Sequence, residues 1–187
     1  QVQSVVIIIR YPKPEYGLPL PVFLFKEVFI GQLIIQLCSF GIIIKTVENT
    51  VVCDEKVDVI AVGCGLSNDE TTSEFIREIV KNLYAPMVLD AQALNALAPF
   101  DLQGSDEFPL VLTPHIGEFS RLLGRKIGEN KIDEARSFAE KHNVILVLKG
   151  ERSLIAAPDG KVVINPTGNA GISRAGAGDT LTGIITA

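Results

Sequence analysis

A short segment of small residues near the end of the chain leads into an acidic residue. Residues 173–183 read Ser-Arg-Ala-Gly-Ala-Gly-Asp-Thr-Leu-Thr-Gly. Small residues let the backbone approach an anion closely, and the N–H groups of a helix that begins here would point at a phosphate. Asp179 would not bind that phosphate itself; it would accept a proton from a substrate hydroxyl beside it. The competing interpretation is a plain helix cap after a glycine turn.

Other polar segments lie after predicted strands or close to the first segment. Lys149–Ser153 could meet a nucleotide phosphate or ribose, or form an exposed turn. His115 could orient a ligand, cap a helix or lie on the surface, and Asp90 could contact a ligand or cap a helix. The Gly-x-Gly at 63–65 is an incomplete dinucleotide fingerprint, because it lacks the third glycine and the later acidic residue. A polar, glycine-rich loop at 165–171 precedes the first segment.

These segments need a scaffold, and the chain from residue 57 onward predicts one. Apolar runs with strand character alternate with runs of helical periodicity. Such alternation indicates an α/β fold with a mostly parallel sheet between two helical layers, and ligands then bind beyond the carboxyl ends of the strands. The last two strands flank Pro158–Gly160, which favours a hairpin. Strands are predicted at 57–62, 87–89, 110–112, 144–148, 154–157 and 162–164, and helices at 69–82, 91–97, 117–123, 132–142 and from about 178.

The first 50 residues do not continue this rhythm. Residues 11–21 contain too many prolines for a helix or an inner strand. Residues 28–44 carry no charge but are shorter than the ~20 residues of a membrane-spanning helix, so a buried helix followed by a strand is the better interpretation. We expect a single domain over 1–187, with residues 1–50 divergent and further C-terminal helices missing after residue 187.

Composition excludes several classes of function. The net charge is -5 with a pI near 5.1, which argues against a nucleic-acid interface, and the scattered basic residues argue against an anionic membrane surface. The three cysteines, Cys38, Cys53 and Cys64, fit no zinc or redox spacing, so we expect small buried residues in a reducing compartment. No secretory signal is visible, and we predict a cytoplasmic protein.

Taken in order, the motifs resemble those of the ribokinase-like superfamily and, within it, the NAD(P)H-hydrate dehydratases. The resemblance covers about 57–187. It departs from the family pattern at Gln92, where the family has Asp, at Cys64, where it has Pro, and at Ile116, where Pro is common. The matching pieces are Gly-Cys-Gly at 63–65, Val-Leu-Asp-Ala-Gln-Ala-Leu-Asn at 88–95, Leu-Thr-Pro-His-Ile-Gly-Glu-Phe at 112–119, Leu-Lys-Gly at 148–150, Asn-Pro-Thr-Gly-Asn at 165–169 and Gly-Ala-Gly-Asp at 176–179.

This resemblance implies a reaction, a set of ligands and a set of site residues. ADP (ATP in eukaryotic members) would phosphorylate the hydroxyl of the S form of hydrated NADH or NADPH, and loss of phosphate would restore NADH or NADPH. Mg²⁺ would be held mostly by phosphates and water, without dedicated protein ligands. A homo-oligomer, often a tetramer in the family, is also implied, with no nucleic-acid or membrane partner. The implied base is Asp179; the nucleotide contacts are Lys149, Gly150, Glu151, Arg152, Ser153 and Gly178; the phosphate-stabilising residues are Gly176, Ala177 and Gly178; and the substrate contacts are Gly65, His115 and Asp179.

Two alternatives stay open on the sequence. One is a small-molecule kinase of the same superfamily, of the hydroxymethylpyrimidine or hydroxyethylthiazole type, because the loop at 175–179 also suits such kinases. The segments at 113–115 and 165–169 argue against it. The other is a degenerate nucleotide-binding fragment, because the family's N-terminal glycine-rich strand-loop-helix is not recognisable here. The sequence does not choose between ADP and ATP, and it does not show whether an epimerase domain is fused upstream.

Overall fold

The computed structural model describes residues 5–9, 43–46, 59–82, 85–168 and 176–186. Within these ranges the secondary structure agrees with the prediction from residue 57 onward to within two residues at each end. The predicted features at 11–21, and the helix expected within 28–44, lie outside the described residues. The strands are β1 (Val5–Ile9), β2 (Ile43–Thr46), β3 (Val59–Val62), β4 (Met87–Leu89), β5 (Leu110–Leu112), β6 (Ile145–Leu148), β7 (Leu154–Ala156) and β8 (Val162–Ile164). The helices are α1 (Glu70–Lys81), α2 (Gln92–Ala96), α3 (Ile116–Leu123), α4 (Lys131–His142) and α5 (Ala177–Thr186).

The described strands form one sheet in the order β2-β1-β3-β4-β5-β6-β7-β8. Its centre, β3 to β6, is parallel, and consecutive strands there are joined through helices, which confirms the predicted α/β class. The outer strands pair in antiparallel orientation, β1 and β2 on one flank of the sheet and β7 and β8 on the other. The whole sheet is therefore mixed. The predicted late hairpin is confirmed between β7 and β8.

The core lies around the parallel strands. All three residues of β4 are buried, as expected for a central strand covered by helices on both faces. Ile60, Met87 and Leu110 lie in register across three strands, and each is at most 1% exposed. Burial of each such side chain stabilises the fold by about 1.5–3 kcal/mol. This packing holds the strand ends in position, and with them the polar residues that follow.

Helix α3 is anchored by aromatic packing. Phe119 on this helix is fully buried and meets Phe138 of α4 edge to face, with ring centroids 5.2 Å apart. Phe138 in turn packs against Phe100 at 5.6 Å. This packing fixes the helix whose first turn follows His115. Among the helices that the structure describes, none is long and apolar enough to cross a membrane.

Candidate active site

The candidate site lies where the parallel strands end and helix α5 begins. Cys64 comes two residues after β3, Asp90 directly after β4, and Lys149 directly after β6. The carboxyl ends of parallel strands share one edge of a sheet, so residues far apart in sequence meet there. Helix α5, whose first turn carries Asp179, packs against β3 and β4.

A buried carboxylate is the centre of the site. The side chain of Asp90 is 2% exposed, and its Oδ1 accepts a hydrogen bond from Lys149 Nζ at 2.6 Å. Its Oδ2 accepts a second bond from Thr182 Oγ1 of α5 at 3.1 Å. A buried charge is costly unless it is paired and hydrogen-bonded, and both carboxylate oxygens here have a partner. Asp90, at the end of β4, is therefore bonded both to the end of β6 and to helix α5.

His115 and Glu118 form a second polar group beside this pair. His115 is the N-cap of α3: its Nδ1 accepts from the N–H groups of Gly117 at 2.9 Å and Glu118 at 3.2 Å. In return Glu118 Oε2 accepts from the His115 N–H at 2.7 Å, which completes a capping box. The same Oε2 lies 3.9 Å from Lys149 Nζ, so the lysine stands between two buried carboxylates.

Helix α5 begins in the glycine-rich segment that the sequence singles out. Gly176 has φ +88°, a left-handed conformation that favours glycine, and its carbonyl accepts from the N–H of Thr180 at 3.0 Å. At Gly178 an added Cβ would lie 3.2 Å from Asp90 Oδ2 and 3.5 Å from Lys149 Nζ. The helix backbone thus approaches the ion pair closely, while Asp179 is exposed. Residues 169–175, which include the start of this segment, lie outside the described residues.

Cys64 stands between two carboxylates. Its Sγ lies 3.9 Å from Asp90 Oδ2, and it also interacts with Asp179. Burial, followed by the negative charge of Asp90, raises the pKa of the Cys64 thiol to about 12. The side chain is therefore a neutral thiol at physiological pH, and a weak nucleophile.

The glycines before and after Cys64 have different surroundings. Gly63 has φ +124°, and a Cβ added there would lie 1.7 Å from the Asp90 carbonyl oxygen. Gly65 has φ +73° with no atom within 4 Å of an added Cβ. Gly63 is thus required by close backbone packing, whereas Gly65 is exposed and open to a ligand.

The nucleotide-binding loop predicted at Lys149–Ser153 packs against residues 165–168. Gly150, Glu151 and Arg152 are exposed. A Cβ on Gly168 would lie 1.8 Å from the carbonyl oxygen of Glu151, and the N–H of Asn165 donates to the Ser153 carbonyl at 2.9 Å. The Asn-Pro-Thr-Gly segment therefore supports this loop through backbone contacts.

The structure brings several predicted residues together. Gly178 and Asp179 lie beside the ion pair that Lys149 forms with Asp90, whereas Gly65 and His115 are exposed at the same edge of the sheet. The helix-cap interpretation of Asp90 is wrong: the N-cap of α2 is Ala91, at φ +47°, and no side chain caps it. The helix-cap interpretation of His115 is confirmed, and the other ring nitrogen, Nε2, lies 3.7 Å from Glu118 Oε1.

Three residues at the centre of the site are absent from the predicted set. Glu118, Cys64 and Thr182 each contact Lys149 or Asp90. A sequence clue exists only for Glu118, since Glu at the third helical position after a cap residue is a capping-box pattern. Thr182 is 92 positions from Asp90, and no local pattern links them.

The side chains of this site offer few suitable ligands for a magnesium ion. One ligand atom from each of Cys64, Asp90 and Asp179 lies within 4.8 Å of the others. A thiol is a poor ligand for Mg²⁺, and both oxygens of Asp90 already bind Lys149 and Thr182. The accessible carboxylate is that of Asp179. These donors suit an ion that keeps its waters and is held mainly by nucleotide phosphates.

Comparison with known proteins gives a consistent result. The family model described as NAD(P)H-hydrate dehydratase matches residues 33–187. The chain is 50% identical over 134 residues to the bifunctional NAD(P)H-hydrate repair enzyme Nnr of Moorella thermoacetica. The aligned residues cover 70% of this chain and 25% of that protein. It is 36% identical over 135 residues to the ADP-dependent (S)-NAD(P)H-hydrate dehydratase of Bacillus subtilis, covering 71% of this chain and 47% of that protein. The chain thus spans about half or less of these relatives.

Solved structures are similar as well. An ADP/ATP-dependent NAD(P)H-hydrate dehydratase from Bacillus subtilis, co-crystallised with ATP and Mg²⁺, is 36% identical with a TM-score of 0.62, covering 72% of this chain and 48% of that one. A ribokinase-like superfamily protein from Enterococcus faecalis is 28% identical with a TM-score of 0.61, covering 70% and 46%. These likenesses confirm the predicted ribokinase-like fold.

Proposed function

The chain belongs to the NAD(P)H-hydrate dehydratase family, and from this premise we propose that it supplies the base and the nucleotide side of a site that dehydrates hydrated NADH or NADPH. The S form of the hydrate is the proposed substrate, and ADP or ATP is the proposed phosphoryl donor. A cytoplasmic location and a homo-oligomeric state belong to the same proposal, as does a single domain over 1–187.

The proposed chemistry begins with a proton transfer to Asp179. As the hydroxyl oxygen of the hydrate attacks the terminal phosphorus of the nucleotide, Asp179 takes the hydroxyl proton, and the bond from that phosphorus to the nucleotide breaks. The C–O bond of the new phosphate ester then breaks and inorganic phosphate leaves, the neighbouring carbon gives its proton to water, and the electron pair of that C–H bond restores the ring double bond. Asp179 suits this role because it is exposed, while its neighbour Asp90 is buried and already paired.

The backbone at the start of α5 is suited to the transferring phosphoryl group. The N–H groups near Gly176–Gly178 lie at a helix N-terminus, where the helix dipole favours negative charge. The side chains of Lys149–Ser153 would line the adenine nucleotide, and Gly65 and His115 would contact the hydrated cofactor. Bound Mg²⁺ would neutralise charge on the phosphates, with Asp179 as the nearest accessible carboxylate.

The position of Asp179 supports the proposal more than any other observation. This residue lies in the first turn of a helix whose backbone approaches the Asp90–Lys149 ion pair, at the sheet edge where Gly65 and His115 are exposed. The proposed base, the ion pair and the start of a helix therefore lie close together. That combination suits phosphorylation of a hydroxyl followed by elimination.

The test is recovery of NADH from the S hydrate, followed by absorbance at 340 nm with ADP and with ATP. We expect nucleotide-dependent recovery, and Asp179→Asn should lower the rate by about 10²–10⁴-fold, the range of general acid–base catalysis. Calorimetry should show that this variant still binds the nucleotide. No recovery with either nucleotide by a folded sample would contradict the proposal, and a stable phosphorylated product would favour the kinase alternative.

A matched control is available on the hairpin. Asp159 is also an exposed aspartate, and it lies in the turn between β7 and β8. Because β7 runs antiparallel to β6, this turn lies at the opposite edge of the sheet from the site. Asp159→Asn should leave the rate unchanged, so any loss of activity there would point to a general effect on folding.

A further inference from the structure

We propose that Asp90 is a positioning residue that holds α5, and with it Asp179, in register with Lys149. The inference deepens the proposed function and rests on it. Its side chain bonds to Thr182 on one side and to Lys149 on the other, and it acts through these two partners.

The two oxygens of Asp90 have separate partners. Oδ1 accepts from Lys149 Nζ at 2.6 Å, and Oδ2 accepts from Thr182 Oγ1 at 3.1 Å. A carboxylate is rigid and planar, so a shift of either partner changes the geometry of the other. Because Asp90 is 2% exposed, water has little access to replace either bond. The lysine of the nucleotide loop and the helix of the base are thereby linked through one group.

Contacts at two successive turns of α5 fall on Asp90. Thr182 follows Gly178 by four residues, so both lie on the same face of the helix. The Cβ position of Gly178 is 3.2 Å from Asp90 Oδ2, and Thr182 bonds to that same oxygen. Asp179, the next residue along the helix after Gly178, is exposed, and one of its carboxylate oxygens lies within 4.8 Å of Asp90 and Cys64 ligand atoms. A rotation or slide of α5 relative to Asp90 would therefore move the base by a similar distance.

The most buried side chains in the described part of α5 are polar. Within its described part, the two fully buried side chains are Thr182 and Thr186, and Ile184 is 60% exposed. Thr186 Oγ1 donates within the helix, to the carbonyl of Thr182 at 2.6 Å. The bond from Thr182 to Asp90 is thus a side-chain bond from α5 to the sheet edge. Its loss should affect position more than folding.

The decisive variant is Thr182→Val, which keeps the shape of the side chain and removes its hydroxyl. We expect kcat to fall by about 10–100-fold, the scale of an ångström-sized misplacement, while the KM for the nucleotide changes little. Thr182→Ser restores the hydroxyl and should recover most of the rate. Thr186→Val removes another buried hydroxyl from the same helix, one that donates to the Thr182 carbonyl, and it should leave kcat unchanged.

Hydrogen–deuterium exchange separates this inference from the proposed function, because it does not depend on turnover. Amides of residues 176–182 should exchange faster in Thr182→Val than in wild type, and Thr182→Ser should exchange like wild type. Unchanged exchange in Thr182→Val, or full kcat in an active enzyme, would overturn the inference. Equal losses of kcat in Thr182→Val and Thr186→Val would also overturn it, since they would indicate general destabilisation. If Thr182→Val exchanges faster and Thr182→Ser exchanges like wild type, but wild type shows no turnover, the proposed function fails and the positioning role stands.

Discussion

Replacing Gly63 by alanine tests how tightly the turn after β3 is packed against Asp90. An added Cβ would lie 1.7 Å from the Asp90 carbonyl oxygen and 2.9 Å from the Cβ of Ala93. The first of these atoms belongs to the backbone, so no side-chain rotation relieves the overlap. The two segments would have to move apart by more than an ångström. That movement would strain the bond from the Ala93 N–H to the Asp90 carbonyl, which is 3.0 Å long.

The expected cost follows from two contributions. The backbone conformation at Gly63, φ +124°, costs a non-glycine residue about 1–3 kcal/mol. Overpacking of a tight site costs about 1–3 kcal/mol more. The free energy of unfolding should therefore fall by about 2–6 kcal/mol. At Gly65, where φ is +73° and no neighbour lies within 4 Å, only the conformational cost of about 1–2 kcal/mol applies.

Urea denaturation followed by circular dichroism can measure this difference. With an m-value of about 2 kcal/mol/M, Gly63→Ala should lower the midpoint by about 1–3 M and Gly65→Ala by about 0.5–1 M. Both glycines have positive φ and flank the same cysteine, so Gly65→Ala is the control for the conformational cost without a clash. A Gly63 variant that is as stable as the Gly65 variant would refute the reasoning, because the close approach to Asp90 would then have no energetic cost.

Two further predictions concern the same edge of the sheet. Alkylation of Cys64 by iodoacetamide, resolved by peptide mass spectrometry, should still rise about tenfold per pH unit between pH 9 and 10, because its pKa is raised to about 12. Asp90→Asn removes a negative charge that disfavours the thiolate and should move this profile to lower pH; levelling off near pH 9 in wild type would contradict the assignment. At Gly117 an added Cβ would lie 2.9 Å from His115 Cε1, so Gly117→Ala should displace the capping ring and cost about 1 kcal/mol in urea denaturation. An unchanged midpoint would show that the ring is free to move.

The sequence predicts the central strands well because the residues that begin and end each strand are its immediate neighbours in the sequence. β4 and β5 each begin directly after a proline, Pro86 or Pro109, and each ends before a polar residue. Strand β1 is absent from the prediction. Its apolar residues suit a strand, but the proline-rich stretch at 11–21 does not continue the βα rhythm, and its pairing with β3 is antiparallel.

The site is only partly predictable for the same physical reason. The positions of Asp179 and Lys149 follow from motifs that lie within a few residues of a strand end or a helix start. The bond between Lys149 and Asp90 spans 59 positions, and the bond to Thr182 spans 92. Such contacts depend on strand order and on the path of α5 over the sheet. Local periodicity gives no information about either.

The cap that His115 makes on α3 also decides which hydrogen atom its ring carries. With two backbone N–H groups directed at Nδ1, that nitrogen must be unprotonated for the cap to form, so the neutral ring carries its hydrogen on Nε2. The exposed part of the ring therefore presents an N–H donor, and this Nε2 lies 3.7 Å from Glu118 Oε1. An oxygen of a phosphate, a hydroxyl or a carboxamide would be a suitable partner for it, and a ligand group that offers only N–H would not. The end of one helix thus fixes a tautomer, and with it the kind of ligand atom that this edge of the site can receive.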